Sequence, residues 1–456
     1  MSILFHGRRF DRRSSLLVIV AIIGAIIQVM DKSFGNTFAV YSIFPRSDVL
    51  VFGLIILISI IIQSVLIKKT RESLMIERSK TWLGQAVLIV AVSLQYISSG
   101  ILVIILFQAT FTLKYSIILL EAILGINLTT SSALLAILSW RFIRSLRYFP
   151  SKLVLTYTIA IAFLSLSGII TFIYVENFLQ RKPDFISSEY NAWTSFSPRI
   201  PPDLAIAYQL IGIISFLTMW IATVFMTNYA SKSKKIKYWI IVSIPLVYFL
   251  SQFFISYLER SNLLGQLGLE YSPLNEYMYN LALNTIRTAG GLMFGFAFFM
   301  LSKTSMHAQL KGSMMMAGIG LILLFGANAA SLVILTTFPP WGIVSTTFLI
   351  TGSYCLLIGL DSAGFYIATD SSLRRIIQKS PQKGYDILKS LGHAELQDIV
   401  ADKIQNISKQ VYHEIEFESL FRIHSEPANV QQYVDNVIRE LGLALHQKAK
   451  RNNHHN

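Results

Sequence analysis

A few polar residues interrupt otherwise apolar stretches of this chain, and their types limit the chemistry it can do. Glu121, Arg287 and Asp361 are ionisable, while Asn127 and Asn328 are amides. A charge at mid-bilayer costs roughly 2.5 to 3.5 kcal/mol on insertion scales, so such groups pair, face protein or mark an ion path. Glu121 and Arg287 each lie about five residues inside an apolar stretch, a depth of about 8 Å at about 1.5 Å per residue. Their matching depth predicts an ion pair between two helices. A cation or proton site at Glu121 is the alternative.

Asp361 sits among Gly359, Ser362, Ala363 and Gly364. Small neighbours let helices approach closely, so its carboxylate is expected to face protein and to couple the last apolar stretch to the polar tail. The alternative is a hydrogen-bonded packing residue. Asn127 and Asn328, with Gln28, Gln63, Gln95, Gln209 and Gln252, are expected to join helices through amide hydrogen bonds.

Other chemistries lack their residues. No histidine falls in an apolar stretch, which argues against bis-imidazole haem and a histidine proton relay. Cys355 is the single cysteine, so no internal disulfide or cysteine metal cluster can form. His-Glu-x-x-His, phosphate-binding glycine loops and nucleophile elbows are missing. The expectation is no enzyme, no catalytic residue, no metal and no cofactor. His393, His413, His424 and His446 read as solvated helix-face residues.

The elements that must position these residues are long apolar helices. With 53% hydrophobic and 14% charged residues in 456, the chain is too apolar for an ordinary soluble domain. Apolar runs at 14–30, 49–67, 83–107, 116–142, 153–175, 204–229, 238–258, 281–302, 313–335 and 343–367 are each near the length that crosses a hydrocarbon core of roughly 30 Å. The first is read as an uncleaved span rather than a signal peptide. The fold class is all-α, a polytopic bundle of about ten transmembrane helices. Connections on one side, around 68–80, 141–152, 232–237 and 303–311, carry most of the Lys and Arg outside the tail. This asymmetry places both termini in the cytoplasm and accounts for the net charge of +14. Trp82, Trp140, Trp239 and Trp341 are expected at the interfaces.

Three regions follow: a basic N-terminus at 1–13, the bundle at 14–369, and a helical cytosolic tail at 370–456. In the tail, Ser380-Pro381 should start a short helix that stops at Gly392. Apolar stripes then predict amphipathic helices at 394–420 and 429–446, which need a protein partner or a second copy to bury them. Basic and acidic residues nearly cancel in the tail, which disfavours nucleic acid. The reading is a multi-pass plasma-membrane protein with the lipid bilayer as partner, acting as a sensory or scaffold protein that couples bundle to tail. Secondary transport of a small solute or ion is the alternative.

Overall fold

The computed structural model describes residues 12–41, 45–76, 82–179, 184–187, 202–227, 235–260, 273–304, 307–327, 337–380 and 384–419. Among them the chain is almost wholly helical: α1 (Arg12–Tyr41), α2 (Pro45–Ile76), α3 (Trp82–Thr112), α4 (Ile117–Tyr148), α5 (Lys152–Leu179), α6 (Pro202–Thr227), α7 (Lys235–Arg260), α8 (Pro273–Thr304), α9 (Ala308–Gly326), α10 (Ile343–Thr369), α11 (Ser371–Lys379) and α12 (Tyr385–Ser419). Two short strands, β1 (Lys114–Ser116) and β2 (Phe185–Ser187), pair antiparallel with Tyr115 opposite Ile186. The compact units are Met1–Ala394 and Glu395–Asn456.

Nine of the described helices, α1–α6 and α8–α10, are long and apolar enough to cross a bilayer, and α7 contains a shorter apolar segment, Tyr238–Ser251. By length and composition this is a multi-pass membrane helix bundle. Its outward faces agree, because large apolar side chains such as Leu50, Leu54, Ile89, Phe107, Ile118 and Val247 stand exposed. A surface this apolar is stable against lipid and unstable in water.

Helix position follows side-chain type. The apolar window of α10 is 94% buried, whereas that of α3 is 33% buried. The interior helix is α10, packed against α9, α4, α2, α3 and α1. Its sequence permits this. The hydroxyls of Ser345, Thr346, Thr347 and Ser353 donate to carbonyls three or four residues back, so each is satisfied within its own helix. Gly352 and Gly359 let neighbouring backbone close in: a Cβ at Gly352 would lie 3.0 Å from the Leu324 amide, and one at Gly359 2.5 Å from that of Ala317. Helices that bury every face pack through such small residues.

Several expected boundaries move. The segment 31–48, left between the apolar runs 14–30 and 49–67, is mostly helical: α1 runs on to Tyr41 and α2 begins at Pro45. Trp341 does not stand out toward lipid headgroups. It is fully buried, edge-on to Phe52 at 5.3 Å and tilted against Phe34 at 5.7 Å. Gly392 does not end a helix, and α12 passes straight through it. What it supplies is room, because a Cβ there would fall 2.9 Å from Ile367 Cβ. Helix 429–446 lies outside the described residues.

Candidate functional site

The most concentrated buried charge lies where α9 ends and α10 begins. Gly342, in left-handed conformation with φ 87°, is the N-cap of α10 and has no side chain to cap it. The first N–H groups of a helix need acceptors, and Asp31 of α1 provides them. Its Oδ1 accepts from the Gly342 N–H at 3.0 Å and its Oδ2 from the Ser345 N–H at 2.8 Å. The next residue, Lys32, donates from Nζ to the carbonyl of Gly326, at the last residue of α9. Gln28, one turn earlier, donates to Leu323 O at 3.3 Å. Asp31 and Lys32 are both buried. Two adjacent residues of opposite sign thus meet the positive start of one helix and the negative end of another.

Trp341 packs on Phe52, which lies about six residues or 9 Å inside the Arg46–Arg71 apolar span. Irregular backbone is tolerated at such depth only when protein covers it. Here Phe338, Pro339, Pro340 and Trp341 are all buried, and the Tyr115 hydroxyl donates to Thr337 O at 2.8 Å. The β1–β2 ribbon thereby holds the connection from above.

Arg287 of α8 belongs to this neighbourhood and not to Glu121. Among the described residues it forms no ion pair, and the pair expected from matched depth is absent. The reason is lateral placement: α4 packs on α5, α10 and α3, whereas α8 packs on α9, α1, α7 and α6. Equal depth does not bring two helices together. Arg287 instead stands in the neighbourhood of Lys32 of α1 and Tyr208 of α6. Its Nη2 rests against Gly212, one turn past Tyr208, where a Cβ would stand 3.2 Å away. Tyr208 stacks on Tyr174 of α5 with ring centres 4.8 Å apart.

The other sequence candidates fall elsewhere. Asp361 forms an ion pair with Arg141 of α4, tying α10 to α4 near the end of the bundle where α10 leaves it. Asn127 is fully buried and its Oδ1 accepts from the Ser98 hydroxyl at 3.1 Å. Asn328 lies outside the described residues. Gln63 and Gln95 form an uncharged ladder across three helices: Gln95 Nε2 donates to Gln63 Oε1 at 2.7 Å, and Gln63 Nε2 donates to Thr347 Oγ1 at 2.6 Å. Among the described residues no three His, Cys, Asp or Glu side chains come together in a way that would hold a metal.

At the opposite end of α10, Asp370 caps α11, accepting from the Ser372 hydroxyl at 2.7 Å and the Leu373 N–H at 3.1 Å. These bonds hold its carboxyl below the usual range. The start of α12 packs on α10 through Leu391 against Gly364 and Ile367 against Gly392. Ser390 meets Ser145 of α4 at 2.7 Å. His393 is half-buried rather than fully solvated. It stacks on Phe149 at 6.1 Å and lies beside Gln378, and burial together with the nearby Arg374 pushes its imidazole below the usual range.

Asp31 and Lys32 were not distinguishable from loop residues in the sequence, because they close an apolar run where acids and bases ordinarily mark its exit. A helix continuing to Tyr41 was the missing fact. Comparison with protein-family models, with curated proteins and with solved structures finds no match to this chain.

Proposed function

We propose that this chain is a plasma-membrane protein that couples events in its bundle to a cytosolic helical output, acting as a sensory or scaffold protein. One observation carries the reading: α10 is a single unbroken helix held at its start by Asp31 and met at its far end by α11 and the start of α12. A rigid helix engaged at both ends transmits a displacement at one to the other. The stripe on α12 supports an output role, since Val400 and Ile407 stand exposed. The basic connections support a cytoplasmic placement of α11 and the start of α12.

The test compares the full chain with one ending at Ala394, both isolated from native membranes. A coupling protein loses its co-purifying partner on truncation while the bundle keeps its melting temperature. Unchanged partners would overturn the reading.

Solute transport is the second reading, favoured by the end of α9 and the start of α10 lying beside the buried Asp31 and Lys32. Transporters place substrate groups at such half-helix ends. Flux retained in proteoliposomes by the chain ending at Ala394 would favour it.

A further inference from the structure

We infer that Arg287, with Lys32 and Tyr208, forms a binding site for an oxyanion, a phosphate or carboxylate group, between α1, α6 and α8.

The charges nearby do not balance. Asp31 is the one carboxylate in the cluster among the described residues, and both its oxygens are engaged by the start of α10. Lys32 is engaged by the Gly326 carbonyl, which carries no formal charge. Arg287 therefore adds a second positive charge with no counter-charge beside it among the described residues. Its Nε is buried without a hydrogen-bond partner there, and so is the hydroxyl of Tyr208. Unpaired donors of this kind are rare in native interiors because each has lost water without replacement. Two of them meet around one guanidinium.

The donor geometry of the guanidinium also selects its ligand. A guanidinium presents parallel N–H donors that match the two oxygens of a carboxylate or phosphate. Gly212 leaves the space that Nη2 occupies, and the Tyr174–Tyr208 stack walls one side. Lys32 raises the positive potential without needing to touch the anion. A lipid headgroup and a soluble anion both carry the paired oxygens that this donor set takes.

The experiment uses the full-length chain in uncharged maltoside detergent, reading melting temperature against added sodium phosphate, sodium acetate or phosphatidylglycerol, with sodium chloride as the ionic-strength control. At least one probe should raise the melting temperature of the wild type with saturation. The rise should vanish in Arg287→Gln and need about tenfold more ligand in Tyr208→Phe, the usual size of a lost hydrogen bond to a charged group. A response to phosphatidylglycerol alone identifies a lipid headgroup, and a response to phosphate or acetate identifies a soluble anion. Should Arg287→Gln fail to fold, Tyr208→Phe decides. Equal responses in wild type and Tyr208→Phe, or no saturable response beyond chloride, overturn the assignment.

Discussion

Asp31 and Asp361 are both carboxylates in an apolar bundle, yet their energetic weights differ. Asp31 is buried, accepts two backbone N–H groups and neighbours a buried lysine. Removing one member of such a set leaves a charge and two donors unpaired, which costs about 3 kcal/mol or more. Asp31→Ala is therefore expected to lower the melting temperature of the purified bundle sharply, and Asp31→Asn, which keeps one acceptor, to lower it less. The Arg141 and Asp361 side chains are 38% and 29% exposed, so screening limits what their ion pair is worth. A double-mutant cycle on Arg141→Gln and Asp361→Asn should return a coupling below about 1 kcal/mol. An intramembrane ionisable residue is easy to see in the sequence; its partners are not. Glu121 and Arg287 share a depth but not a pair of adjoining helices.

At the scale of elements, the α9–α10 crossing depends on missing side chains. A Cβ at Gly320 would meet the Gly352 carbonyl and the Leu356 amide, both backbone atoms 2.6 Å away, and neither can swing aside. Gly320→Ala should cost about 1 to 3 kcal/mol in thermal unfolding. Gly100 on α3 has nothing within 4 Å of the same atom, so Gly100→Ala should be neutral or stabilise by up to about 1 kcal/mol through helix propensity.

The α11–α12 segment carries a pH dependence with a defined sign. His393 and Asp370 both have folded-state values below their ordinary 6.5 and 3.8, so the folded state binds fewer protons than the unfolded one. Each contribution is complete above the ordinary value and lost as pH falls towards the lowered one. His393 dominates near neutrality. As pH falls from about 7.5 to about 5.5, the protection of amides in α11 and the start of α12, after correction for the intrinsic exchange rate, should fall, and His393→Gln should flatten the change. Helix periodicity made the α12 stripe legible beforehand. It could not show that Gly392 is a contact point, because a glycine that ends a helix and one that admits a neighbour look alike in one dimension.

For the whole molecule, the expectation to check is sidedness. A reporter fused after Asn456 should be inaccessible from outside sealed cells, and one inserted at 190, in the connection following β2, should be accessible. Finding the two on the same side would remove the cytosolic placement of α11 and α12, and with it the proposed output.

Composition and hydrophobic run length by themselves determined that this chain is an all-helical multi-pass bundle, because crossing roughly 30 Å of hydrocarbon demands long apolar helices whatever their neighbours. Only the tertiary structure decided that α10 lies at the centre, that Trp341 is core, and that Asp31 and Lys32 serve helix ends about 300 residues away in sequence. The physical reason is that lipid supplies no hydrophobic drive to sort apolar helices against one another. Small residues, back-bonded hydroxyls and unsatisfied helix ends choose the neighbours, and those act only once distant segments meet.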